Sequence, residues 1–148
     1  MFSKINPPII YQSFIVLMMA IYFLFADTTV IRFPYNLAGV AIFLIGSYLA
    51  ISEKKSFQKA NTPMPPLSKP NTLHTGGAFR YTRNPMYLGI TIGLLGLAFL
   101  MSCLVNFAFP LLFFIIMDVV YVRREEQVLE EQFGDQYLDY KNRVRRWI

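Results

Sequence analysis

Between Asn71 and Gly89 the chain reads Asn-Thr-Leu-His-Thr-Gly-Gly-Ala-Phe-Arg-Tyr-Thr-Arg-Asn-Pro-Met-Tyr-Leu-Gly. The first half of this stretch is polar and gathers His74, Gly76, Gly77, Arg80 and Arg83, and the second half enters an apolar run at Pro85. An imidazole and two guanidiniums on a glycine-bearing loop, set where a membrane helix begins, suit the capture of a charged small molecule. The same residues also suit a plain basic loop beside a membrane helix, with Asn84-Pro85 as the helix start. A second polar cluster, Arg123-Arg124-Glu125-Glu126, follows the last apolar run and offers both charge signs in four consecutive residues.

These residues need a scaffold, and the scaffold is apolar. At 148 residues the chain has room for one domain, and it is 55% hydrophobic and 16% aromatic. A mean hydropathy of +0.40 places it well on the apolar side of soluble domains. The net charge of +5 would suit nucleic acid, but the apolar runs point to a bilayer instead, and no nucleic-acid partner is expected. Cys103 is single, so neither an internal disulfide nor a zinc cluster is expected, and no metal site is assigned.

Four membrane helices are expected, over 9–25, 35–51, 86–102 and 105–122. The first follows Lys4 and Pro7-Pro8; with no convincing small-residue cleavage site behind it, it reads as a retained helix. Asp27, Thr28, Thr29 and Arg32 form a short polar turn after it. From Ser52 to Asn84 the character changes, with Lys54, Lys55 and Lys59 followed by Pro63, Pro65, Pro66 and Pro70, which exclude a continuous helix. A connection of that length is either a solvated linker or a functional loop.

Met86 to Val122 is too long for one crossing and suits a hairpin that turns between Ser102 and Asn106. Gly89, Gly93 and Gly96 give the third helix a smooth face for close helix packing, and Pro110 is expected to kink the fourth. Four crossings put both termini and the central loop on one side, and of the 14 Lys and Arg only Arg32 falls opposite, so that side is cytoplasmic. The tail, 123–148, reads as amphipathic and helical, and Arg143, Arg145, Arg146 and Trp147 suit an anionic interface. The fold class is thus an all-α polytopic membrane protein, with helices 3 and 4 as a hairpin and a cytoplasmic C-terminal tail.

The hairpin brings the two polar clusters together at its open end, with Arg83 near Glu125 and Glu126. Either a loop-to-tail salt bridge or a binding pocket walled by Phe79, Tyr81 and Tyr87 would result. Asp118, costly in lipid, is expected to point into the same space.

Two blocks carry a resemblance. Thr72-Leu73-x-Thr75-x-Gly77-x-Phe79-x-x-x-Arg83-Asn84-Pro85-x-Tyr87-x-Gly89 resembles the signature of the isoprenylcysteine carboxyl methyltransferase and phospholipid methyltransferase group. So does Glu125-Glu126-x-x-Leu129-x-x-x-Phe133-Gly134-x-x-Tyr137-x-x-Tyr140-x-x-x-Val144, and both stand in the group's order around a hairpin. The resemblance implies a single membrane methyltransferase domain over 1–148 that uses S-adenosylmethionine without a Rossmann fold. It implies cofactor contacts from the loop 71–87 at Leu73, His74, Gly77, Phe79, Asn84, Pro85, Met86 and Tyr87, and from Glu125 in the tail. The acceptor is expected to be lipophilic or small, with an isoprenylcysteine-like carboxylate or a phospholipid-like amine, and to enter from the bilayer.

Arg83 is the candidate to orient an anionic group, and Glu126 to bind the acceptor or take a proton from an amine. Asn71 stands where the eukaryotic enzymes have histidine, Asn84 where many members have a second one, and Tyr121 where the eukaryotic prenylcysteine enzymes have a substrate arginine, a role for which Arg123 or Arg124 is a candidate. Two rival readings are an NADPH-dependent membrane reductase of the sterol-reductase type and a small transporter. The latter wants an acid in helix one, which has none. The short chain favours a bacterial inner membrane.

Overall fold

The structure, a computed structural model, describes residues 7–25, 29–59 and 71–148. Asp27, Thr28 and the prolines at 63, 65, 66 and 70, singled out above, lie outside the described residues. The helices are α1 (Pro7–Leu24), α2 (Ala38–Lys59), α3 (Pro85–Met101), α4 (Ala108–Ile116), α5 (Arg123–Phe133) and α6 (Asp135–Arg143). Short 3-10 turns over Tyr35–Leu37, Gly77–Arg80 and Leu104–Phe107 lead into α2, α3 and α4, and a π-helical segment, Met117–Val122, joins α4 to α5 without a break.

Among the described residues, three segments are long and apolar enough to cross a membrane: Pro7–Leu24, Tyr35–Ser52 and Leu104–Phe133. The expected third span is also an apolar helix, α3, but at 17 residues it is shorter than the rest. Two boundaries differ from expectation. The apolar segment Tyr35–Ser52 agrees with the expected span over 35–51, but α2 itself runs on to Lys59, because Glu, Lys and Gln are good helix formers and the backbone has no reason to stop where the polarity changes. The tail does not begin as a separate element after Val122; the helix runs on into α5.

Pro110 does not kink the fourth helix. It sits in the first turn of α4, where backbone N–H groups lack intrahelical acceptors anyway, so its missing donor costs nothing.

α2 and α3 meet along glycine. A Cβ on Gly46 would run into the backbone of Gly93 and Gly89, and one on Gly96 into the backbone of Phe43. Two helices this close gain dispersion contacts along their backbones, which is what holds helices together where water supplies no drive. α1 packs across the hairpin of α3 and α4 through Met18 and through Phe14, whose ring meets those of Phe109 and Phe113 edge-on.

The hairpin turns at Ser102, whose left-handed φ of 54° caps α3 as its N–H bonds the Ala98 carbonyl. Here the bundle end is sealed by polar groups: Asn106, fully buried, donates to the Met18 carbonyl at 3.2 Å, and Val30 N–H to the Ser102 carbonyl at 2.8 Å. At the opposite end the chain reverses at Gly134 (φ 50°) so that α6 folds back over the loop before α3. That end holds the site.

Candidate active site

The site is assembled from the loop before α3, the π segment, α5 and the last residues of the chain. Arg83 lies just before α3, with its side chain 9% exposed, and its Nη2 is 3.0 Å from Glu126 Oε1. Arg83 Nη1 also donates to the Lys141 carbonyl at 3.4 Å. Glu126 is held from a second side by Arg146, whose Nε donates to Oε1 at 3.1 Å and whose Nη2 donates to Oε2 at 2.7 Å. Arg146 Nη1 reaches Asp118 Oδ1 at 3.4 Å, and Trp147 Nε1 donates to the same oxygen at 3.0 Å. Arg123 closes on Asp118 Oδ2 at 3.3 Å from the outer side.

The result is a chain of alternating charge, Arg83 to Glu126 to Arg146 to Asp118. Buried charges are tolerated only when paired and hydrogen-bonded, and the alternation achieves that. Hydrogen bonds from Arg146 to Glu126 are also the main reason its guanidinium holds its proton more tightly than usual.

Neighbouring residues on α5 point about 100° apart, so Glu125 serves a different partner. Tyr87 Oη, from the first turn of α3, donates to Glu125 Oε1 at 2.7 Å. The α3 start is itself fixed by the terminus of the chain. Asn84 Nδ2 and Thr82 Oγ1 both donate to the Arg146 carbonyl, at 3.0 and 3.1 Å, and Arg83 N–H donates to the Arg145 carbonyl at 3.0 Å. Pro85 opens α3, where its fixed φ suits a first helical residue.

Farther along the loop, the Phe79 carbonyl accepts from Tyr140 Oη at 2.8 Å, and His74 stands edge-on to the Phe79 ring. Gly77 takes a φ of 60° to start the turn that carries Phe79. Two buried donors in this region have no hydrogen bond: Arg83 Nε and Tyr137 Oη.

Arg83 is thus brought against Glu126 and Tyr87 against Glu125, with Asn84 and Pro85 between them at the start of α3. Leu73, His74, Gly77 and Phe79 line the loop that leads there, and Met86 packs half-buried against the core. Arg124 lies on the exposed face of α5, two positions from Glu126 and turned away from it. Tyr121, at the place of the expected arginine, is buried in the core cluster. Asp118 does reach the polar network, as expected.

Sequence reasoning missed Arg146 and Trp147, which read as interface anchors but turn inward. The available signal was Asp118: an acid within an apolar run needs a cation, and none lies beside it on its own helix before Arg123.

Comparison with known proteins bears on this arrangement. The family model described as phospholipid methyltransferase matches residues 34–136. An uncharacterized protein of Haemophilus influenzae is 33% identical over 63 residues, 43% of this chain and 100% of that protein. Protein-S-isoprenylcysteine O-methyltransferase of Schizosaccharomyces pombe is 35% identical over 80 residues, 52% of this chain. The structure of the eukaryotic intramembrane Ras methyltransferase, isoprenylcysteine carboxyl methyltransferase, superposes with a TM-score of 0.74 at 21% identity and covers 98% of this chain. The chain spans only 33% of the length of the yeast enzyme and 54% of the solved one, so the likeness to the latter is one of fold.

Proposed function

Because this chain belongs to the phospholipid methyltransferase family, we propose that it is an integral-membrane methyltransferase that uses S-adenosylmethionine to methylate a lipophilic or small acceptor. The observation that carries this reading is the convergence of Arg83 and Tyr87 from one block with Glu126 and Glu125 from the other, through contacts of 3.0 and 2.7 Å.

The residues present fit the cofactor. Glu125 is a carboxylate for a cationic amine, held from one side by Tyr87. Arg83 Nε and Tyr137 Oη are buried donors without acceptors, as a site for carboxylate or hydroxyl oxygens requires. When bound, S-adenosylmethionine supplies an electrophilic methyl group on a sulfonium that is its own leaving group. What remains for the protein is positioning and the exclusion of water.

In this reading Tyr87 aims the Glu125 carboxylate, and the loop residues Leu73, His74, Gly77, Phe79, Asn84, Pro85 and Met86 form the wall along which the cofactor lies. Arg83 orients an anionic group of cofactor or acceptor. Glu126 acts by holding Arg83, since both its oxygens already accept guanidinium hydrogens and none is aimed at an acceptor proton. Arg124, on the exposed face, is left to meet an acceptor headgroup at the rim.

The setting follows from the helices. α3 serves as a fourth span beside the three long ones, its glycine seam binding it to α2. The asymmetry of Lys and Arg supports a cytoplasmic side for the site and both termini, and a bacterial inner membrane is the setting proposed. The family supports neither the reductase nor the transporter alternative.

The test is calorimetric titration of S-adenosylhomocysteine into detergent-purified protein, wild type and Glu125→Gln. Binding that the substitution weakens at least tenfold, with unchanged unfolding temperature, supports the reading. A well-folded wild type that binds nothing sinks it.

A further inference from the structure

The last residues of the chain leave α6 through an extended Val144 and lie against the start of α3 and the π segment. The backbone carbonyls of Arg145 and Arg146 receive the Arg83 N–H, the Thr82 hydroxyl and the Asn84 amide, while the side chains of Arg146 and Trp147 turn inward to Glu126 and Asp118. Arg146 spans two carboxylates from two turns of one continuous helix, Glu126 on α5 and Asp118 on the π segment. The wider spacing of π turns alters which residues face one side, and it is within this segment that Asp118 is presented to the strap. Trp147 then locks the strap, donating to Asp118 and packing its ring against Phe114 at a tilt of 44°, with ring centroids 4.4 Å apart.

From this geometry we infer that Arg146 is a positioning residue of the site, and that the strap carrying it is part of the catalytic unit rather than a membrane anchor. The inference rests on the methyltransferase reading, since what Arg146 positions is Glu126 and, through it, Arg83. A carboxylate with one guanidinium partner can rotate about its terminal torsion. One gripped at both oxygens by Arg146 has a single orientation left in which Oε1 also meets Arg83. Arg83 in turn has little else to orient it: Nη1 makes a long bond to a carbonyl and Nε makes none. Lysine cannot replace this, because the grip depends on a planar fork.

The protein carries its own reporter, for Trp147 is its single tryptophan. In detergent-purified wild type its emission should be blue-shifted and poorly quenched by iodide. In Arg146→Ala the emission should move to the red, iodide should quench it freely, and affinity for S-adenosylhomocysteine should fall about tenfold or more. Millimolar guanidinium should restore a measurable part of that affinity, which repair of a general packing defect would not do. Arg146→Lys, which keeps the charge and covers the case in which the alanine variant does not fold, should lose affinity about as far.

Either variant, folded and binding with wild-type affinity, overturns the role given to Arg146. So does a loss that follows unfolding temperature alone and is untouched by guanidinium. A wild type that binds no S-adenosylhomocysteine but shows a docked Trp147 overturns the methyltransferase reading and the positioning role together, and leaves the strap as architecture. The arms therefore separate the two failures.

Discussion

Tyr87 Oη donates to Glu125 Oε1 at 2.7 Å, joining the first turn of α3 to the first turn of α5 across a buried contact in which the tyrosine is 2% exposed. A phenol supplies this half-buried carboxylate with a hydrogen bond but no compensating charge. A carboxylate held this way keeps its need for a cation, and that is what a cationic ligand can meet.

Tyr87→Phe should therefore leave the aromatic packing intact and loosen Glu125. Affinity for S-adenosylhomocysteine should fall by about 1.5–3 kcal/mol, the order expected for one hydrogen bond to a charged group. Glu125→Gln should cost more than Tyr87→Phe, because it removes the charge as well as its orientation. Calorimetry on the two variants checks the order, and a phenylalanine variant weaker than the glutamine variant contradicts it.

The salt-bridge chain predicts a large asymmetry in stability. Arg83 and Glu126 are 9% and 8% exposed at their side chains, so removing Glu126 leaves the Arg83 guanidinium buried without its carboxylate. Glu126→Ala should lower unfolding stability by about 3–5 kcal/mol, whereas Lys141→Ala, whose pair with Glu130 is open to solvent, should cost under about 1 kcal/mol. Thermal unfolding in detergent distinguishes them; equal losses would mean that the buried network is not held as described.

How much of this could be read from the chain alone differs by element. The meeting of Arg83 with Glu126 follows from a hairpin whose two ends carry the polar blocks, because antiparallel neighbours bring their free ends together whatever their side chains do. The resemblance of the two blocks named the residues, and the family match over 34–136 agrees with it. Arg146 and Trp147 were not legible. Basic and aromatic residues at a chain end have the composition of an interfacial anchor, and only the reversal at Gly134 and the extended Val144 turn them toward Asp118. Pro110 misled for a related reason: a proline kinks a helix or begins one depending on where the helix starts, and the 3-10 turn at Leu104–Phe107 moved that start.

The glycine seam makes a prediction in which similar residues behave differently. A Cβ on Gly46 would overlap the backbone of α3, which has no rotamer with which to yield, so Gly46→Ala should destabilise the bundle by about 1–3 kcal/mol. A Cβ on Gly93 would meet only the Phe43 ring, at 4.0 Å, an ordinary contact. Gly93→Ala should be neutral or mildly stabilising, since alanine loses less backbone entropy in a helix than glycine does. The same unfolding assay reads both, and a Gly93→Ala variant as unstable as Gly46→Ala would refute the facing assigned to the seam.

Tyr137 separates stability from binding. Its side chain is 1% exposed, its Oη makes no hydrogen bond, and burial pushes the phenol up, so it remains a neutral donor with no acceptor. A buried donor left unpaired costs roughly 1–3 kcal/mol, and Tyr137→Phe removes that cost while keeping the ring and its contact with Tyr140. The unfolding temperature should therefore hold or rise. If Oη is kept unpaired for an oxygen of a bound ligand, the same variant should bind S-adenosylhomocysteine or methylate its acceptor less well. Stability gained with function lost is the pattern expected of a group retained for its ligand. Stability gained with binding and turnover unchanged would mean that Tyr137 is core alone, and would leave Arg83 Nε as the remaining unpaired donor at the site.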